Sequence, residues 1–232
     1  MPTPALGRAD FLRAIDDAAA AYAAGRADPG EDLAGRRFLL RQAFGCKGTT
    51  GPDGGQVSGV ARWSWGPLQR TIALSLTPSD WARLPILKTA ESPWEAVEGY
   101  WLTRPWLRAE GCPVVHPSAT PQLPAPATIP APTSRQTAGL AAVFAHGGSR
   151  VGRRDGKPFS FTLRNEEGPP PAPVAGYRLV LEGRFIAPPD GRAIRCQADT
   201  PDQRPVCIAT AELDRVAFED ADGKLLREWR PG

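Results

Sequence analysis

The stretch IRCQADTPDQRPVCIA (194–209) places Cys196 and Cys207 at the two ends of a segment with two prolines and polar turn residues between them. A pair so placed reads as two strands joined by a long loop and stapled at the base. Closing that loop would stabilise the fold by about 3 kcal/mol in the chain-entropy picture. Cys46 and Cys112, the other two cysteines, are left to pair across the N-terminal half, for about 4 kcal/mol. Four cysteines allow three connectivities, so this pairing is one choice among them. Oxidised cysteines imply an exported or periplasmic location. The alternative is a cytoplasmic protein with four reduced thiols, since free Cys packs as a small hydrophobe. No C-x2–4-C pair exists, so neither a zinc site nor any other metal or cofactor is expected.

Between the cysteines the pattern is mainly that of strands. RRFLLRQAFGC (36–46) is an apolar run. VSGVARWSW (57–65) puts Val57, Ala61, Trp63 and Trp65 on one face, and QRTIALSLT (69–77) alternates Ile72, Leu74 and Leu76 after a Gly66-Pro67 turn. Alternation of period two between Gly/Pro signals predicts antiparallel hairpins in this half. Toward the C-terminus, strands are expected over 140–146, 159–164, 177–187, 193–198, 206–220 and 224–229, with Asp222-Gly223 as the last hairpin turn. Their number and spacing predict a small sandwich or barrel. Two helices are expected. In ADFLRAIDDAAAAYAA (9–24), Phe11, Ile15, Ala18 or Ala19 and Tyr22 form a stripe, with Asp10 and Gly25 as start and stop. SPWE (92–95) is an S-x-x-E capping box with Pro93 at the first position, predicting a short helix ended by Gly99. The fold class is therefore mainly β, α+β with one substantial N-terminal helix.

Residues 113–136 are proline-rich and lack acidic residues. Such a run stays extended. It divides the chain into a helix-plus-hairpin part (1–112) and a β-rich part (137–232), either as a spacer between two domains or as a strap across one body. The chain has 232 residues, 41% of them hydrophobic and 23% charged, which is enough for one large or two small globular domains. A net charge of +3 argues against a dedicated nucleic-acid binder. No apolar run reaches the ~18 residues that cross a bilayer. MPTPALGRAD lacks the apolar core of a signal peptide, so the chain reads as a mature form with an added Met1 or as a cytoplasmic protein.

Few chemical signatures survive inspection. GCKGTTGPDGG (45–55) lacks the phosphate-loop spacing, because Gly48 follows Lys47. His146 lies three residues before Ser149, but nothing supplies an orienting acid or a G-x-S-x-G elbow. Glu219, Asp220 and Asp222 lack calcium-loop offsets. The most suggestive polar stretch is GGSRVGRRDGKPF (147–159). There Arg150, Arg153, Arg154 and Lys157 could offer forked donors to an anion or an acidic partner, with an ordinary charged loop as the plainer reading. Six of the seven tryptophans fall between 63 and 106. In VEGYWLTRPWLRAEGCP (97–113), an extended chain turns Tyr100 and Leu102 opposite to Trp101. One side is then core beside a disulfide, with Trp101, Arg104 or Trp106 the exposed remainder available for binding.

FLLRQAFGCKG, GYWLTRPWLRAEGCP, SRVGRRDGKPF and RPVCIATAELDRVAFED together resemble uncharacterised exported proteins of GC-rich bacteria, over most of 36–220. That resemblance implies export and no particular activity. The expected function is a non-catalytic binding or interaction module of the bacterial cell envelope, its partner another protein or envelope component. Two alternatives are an envelope hydrolase acting on carbohydrate, using carboxylates such as Glu95, Glu98 or Asp214, and a structural subunit of a larger envelope assembly.

Overall fold

A computed structural model describes residues 3–26, 33–46, 57–88, 94–114, 136–147, 158–165, 168, 170–171, 173–188 and 191–230. Helix α1 spans Arg8–Ala23. Among the described residues eleven strands follow: β1 Arg37–Phe44, β2 Arg62–Trp65, β3 Thr71–Leu76, β4 Ser79–Asp80, β5 Trp94–Trp101, β6 Ala138–Ala145, β7 Phe159–Arg164, β8 Tyr177–Phe185, β9 Ile194–Gln197, β10 Val206–Asp220 and β11 Leu225–Trp229. Short 3-10 turns occupy Pro67–Gln69 and Pro85–Leu87.

Helix α1 begins one turn earlier than Asp10 suggests. Gly7 is the N-cap, and Asp10 reaches back to accept from the Gly7 N–H at 3.2 Å, which is the carboxylate half of a capping box. Its end is a Schellman motif: Gly25, at φ 63°, donates to Tyr22 O while Arg26 donates to Ala21 O. The buried stripe of Phe11, Leu12, Ile15, Ala18 and Ala19 rests on sheet residues, with Phe11 stacked on Phe185 at 5.4 Å between centroids.

The strands form two sheets. The larger runs β1-β8-β10-β6-β5-β4, with β9 and β11 also paired to β10; the smaller is β2-β3-β7. Every strand pair is antiparallel except β10 with β6. The large sheet stays open, so the barrel alternative does not hold. Both sheets draw on chain from either side of 113–136: β1 pairs β8 and β5 pairs β6 in the large sheet, and β3 pairs β7 in the small one. Strands on either side of 113–136 are thus hydrogen-bonded neighbours over one shared core. Residues 115–135 themselves lie outside the described residues.

The core fills the space between the two sheets and α1. Trp63, Ile72, Leu74, Leu76 and Phe159 face it from the small sheet, as the alternation predicts, while Val57 is 55% exposed and lies outside that face. Strand β10 explains how fifteen residues keep one apolar face. Cys207, Ala209, Ala211 and Leu213 point inward at odd positions; Val216 and Phe218 point inward at even ones. The register shift between Leu213 and Arg215 absorbs the change, with Asp214 as the extra residue.

The helix expected from SPWE is instead strand β5. Ala96 and Tyr100 face the main core, and Val97 and Trp101 face a second cluster on the other side of the sheet. Pairing with β4 and β6 satisfies this backbone, and burial on both faces outweighs a local capping signal. Strand β6, AGLAAVFA, is buried along nearly its whole length, as a strand covered on both faces must be.

Candidate functional site

The opposite side of the large sheet has two characters. Over β1, β8, the C-terminal half of β10 and β11 it is a ladder of charges. Arg37 meets Asp214 at 3.0 Å, Arg215 meets Glu228 at 2.8 Å and Glu182 at 3.4 Å, and Arg41 meets Glu219 at 3.2 Å. Over β5, β6 and the N-terminal half of β10 it is apolar. There Trp81, Val97, Ala141, Val143 and Ile208 form the second cluster, capped by Leu84, Ile86 and Leu87. Two glycines let the Trp81 ring lie against the sheet. A Cβ on Gly99 would fall 2.0 Å from the indole and one on Gly139 2.8 Å from it. Trp101 packs edge-on to Trp81 at 4.7 Å and stays half-buried.

This cover leaves a cleft beside β9. One part, about 360 Å³, has Trp101, Ile86, Val206 and Ile208 as its apolar lining and Gln136, Gln197 and Gln203 as polar groups. A second part, about 310 Å³, shares Ile86 and Gln197 with the first. It runs between Ala18, Tyr22 and Arg26 of α1 and its C-terminal cap on one side and the whole of β9 on the other. Three arginines, Arg26, Arg192 and Arg195, line this second part, and no carboxylate does among the described residues. Asp199 and Arg204 stand at the first part, where Arg204 is held by Asp16 of α1 at 2.6 Å. The cleft can accept an elongated ligand with an apolar patch at one end and negative charge at the other.

The disulfides frame this region. Cys196–Cys207 joins directly opposed residues of β9 and β10, with Cα atoms 4.1 Å apart, and Cys46–Cys112 closes the N-terminal half, Cα atoms 5.3 Å apart. Both bonds belong to the connectivity chosen among the three that four cysteines allow.

The expected binding residues separate. Arg150, Arg153, Arg154 and Lys157 lie outside the described residues. Trp101 lines the cleft. Trp106 is 68% exposed, on the 103–108 loop. Arg104, on the same loop at φ 52°, turns inward and donates from Nη2 to Ala43 O, and burial lowers its pKa. What holds this loop is Arg8, a residue the sequence did not single out. Only 3% exposed, Arg8 donates to Thr103 O at 2.8 Å, Leu107 O at 3.0 Å, Arg104 O at 3.1 Å and Gln42 Oε1 at 3.3 Å. Burial, then the neighbouring Arg104 charge, pull its pKa down to about 10, with Glu110 opposing. Its stripe-like helical context gave no warning of this role, because the acceptors are mainly backbone carbonyls nearly a hundred residues away.

The carboxylates named for a hydrolase have separate partners. Asp214 pairs with Arg37, Glu98 accepts from Tyr100 Oη at 2.9 Å, and Glu95 accepts from Gly147 N–H at 3.3 Å. None of the three lines the cleft. Among the described residues no group of three or more His, Cys, Asp and Glu could hold a metal ion, and no helix is long and apolar enough to cross a membrane. In comparisons with protein-family models, curated proteins and solved structures, the chain matches none.

Proposed function

We propose that this protein is a non-catalytic interaction module of the bacterial cell envelope, in a periplasmic or secreted setting, that binds its partner through the cleft along β9. The carrying observation is the cleft itself. It joins an aromatic, apolar end at Trp101 to an arginine-lined end at Arg26, Arg192 and Arg195, on a frame stapled by Cys196–Cys207. Apolar contact with a few placed polar groups is the usual anatomy of a recognition site. Two disulfides support the oxidising compartment.

The test is site-specific photocrosslinking in the producing cells. A photoreactive residue replaces Gln197 or Gln203 at the cleft, and Glu212 or Arg227 away from it. A discrete adduct from the cleft positions and none from the other two is the expected outcome. Adducts of equal yield at all four, or none anywhere, overturn the cleft as the binding site. Fractionation of the same cells, with a count of free thiols, tests the compartment: recovery in the cytoplasm with four free thiols overturns the envelope assignment.

A further inference from the structure

Among the described residues, strand β9 pairs along one edge, with β10, and no strand pairs its other edge. The register settles which backbone groups face outward. Cys207 N–H donates to Thr137 O at 2.9 Å, away from β9, and Thr210 N–H donates to Ala193 O at 2.9 Å, toward the β9 side. Alternate residues of β10 therefore bond β9: Val206 with Gln197, Ile208 with Arg195, Thr210 with Ala193. The Cys207–Cys196 pair is a non-hydrogen-bonded one, which fits its short Cα separation of 4.1 Å. The N–H and C=O of Ile194 and Cys196 consequently point away from β10. Ala198 N–H, next in that series, does find an acceptor: the Tyr22 hydroxyl oxygen, at 3.2 Å. A side-chain oxygen from α1 thus stands where a neighbouring strand's carbonyl would.

We propose that β9 is a strand-addition site for an extended, acidic polypeptide segment of a partner protein, laid between α1 and the Pro85–Leu87 turn. This rests on the cleft being the binding site, and adds the mode of recognition and the chemistry of the partner. Space exists along the open edge, since Ile194, Arg195, Cys196 and Gln197 all line the 310 Å³ part of the cleft. Four residues of strand give a track of about 13 Å, room for an equal length of added strand. Main-chain hydrogen bonds supply the affinity in this mode, and alternate side chains supply the specificity. Charge selects the occupant. Arg26, Arg192 and Arg195 line this part of the cleft and favour Asp or Glu in the added strand. The same charges oppose the β9 edge of a second copy, as like-charged edges do in general.

The probe is a fluorescent, end-capped six-residue peptide alternating Glu and Val, with the Lys-Val counterpart as control. Three results are expected. The acidic peptide binds and the basic one does not. On binding, the amides of Ile194 and Cys196 gain protection from hydrogen exchange. N-methylation of alternate peptide residues abolishes binding in one phase and spares it in the other, because only every second N–H meets the edge. The Arg26→Glu/Arg195→Glu variant weakens the acidic peptide by about tenfold or more. Equal loss in both N-methyl phases, or binding without protection at Cys196, overturns strand addition. So does self-association of the protein that itself protects Cys196, which would make a second copy the occupant. Failure of every peptide while the Gln197 crosslink persists refutes strand addition alone. Loss of that crosslink refutes the cleft as well.

Discussion

Replacing Arg8 tests how the tryptophan-bearing loop is held. Its guanidinium makes four hydrogen bonds, but their loss is not four equal losses. Gln42 Oε1 keeps the Thr103 N–H at 2.9 Å, and Arg104 O keeps the Leu107 N–H at 2.9 Å. Among the described residues, Thr103 O and Leu107 O are the two acceptors that depend on Arg8. Each orphaned buried acceptor costs about 1–3 kcal/mol. Water can reach part of this loop, and the variant is spared the desolvation of a buried cation, which lowers the total. Arg8→Ala should therefore destabilise by ~3 kcal/mol. Arg8→Lys, with a point charge in place of a fork, should lose ~2 kcal/mol. Arg8→Met keeps most of the stem packing and separates it from the hydrogen bonds. Urea titration of the oxidised protein reads the difference as a shift in midpoint at unchanged slope. Arg8→Ala within ~0.5 kcal/mol of the parent, the range of ordinary surface changes, would refute the account of the loop.

Gly99→Val should expel the Trp81 ring and cost ~3 kcal/mol. Near-ultraviolet circular dichroism should lose the Trp81–Trp101 signal, and adding Trp81→Ala should recover part of the loss; a fully additive double variant would contradict the contact. The Tyr177 hydroxyl has its pKa raised by burial and then by Asp220. The folded state holds that proton more tightly than the unfolded chain, so its contribution is fully present below the ordinary tyrosine pKa of about 10 and is lost as pH climbs through the raised value. Tyr177→Phe should flatten the alkaline limb of the stability curve, and an unchanged limb would exclude this tyrosine as its source. Removing the β9–β10 staple with Cys196→Ser/Cys207→Ser should cost ~3 kcal/mol in urea unfolding; a change below ~1 kcal/mol would mean that the unfolded chain already holds those strands together.

Much of the β architecture was legible because it is written in short-range chemistry. Alternation in TIALSL and FSFTLR marks half-buried strands, and Asp222-Gly223 marks the turn between β10 and β11. The Cys196–Cys207 pair was suggested by the same local reasoning, since it sits at the base of a strand–loop–strand unit, and Cys46–Cys112 was the remainder of that choice. SPWE misled for an equally physical reason. A capping box is worth about 1 kcal/mol, and a strand gaining neighbours on both edges and apolar cover on both faces gains more. The cleft was legible only in pieces. Trp101 stood out as an exposed aromatic, but Ile86, Gln197 and Arg195 carry no local mark of a shared surface.

The sequence by itself determined most of the strands and the helix with its stripe, because periodicity and turn residues act over a few neighbouring positions, and it narrowed the covalent staples to three connectivities. Only the tertiary structure decided which strands meet. It brought β5 beside β6 and β1 beside β8 from either side of 113–136, bulged β10 at Asp214 to keep one apolar face, and, among the described residues, left β9 with one edge unpaired. It also carried Arg8 into a ring of carbonyls contributed by a loop far along the chain. Such contacts depend on long-range pairing and on the burial shared between layers, neither of which leaves a trace in the residues on either side.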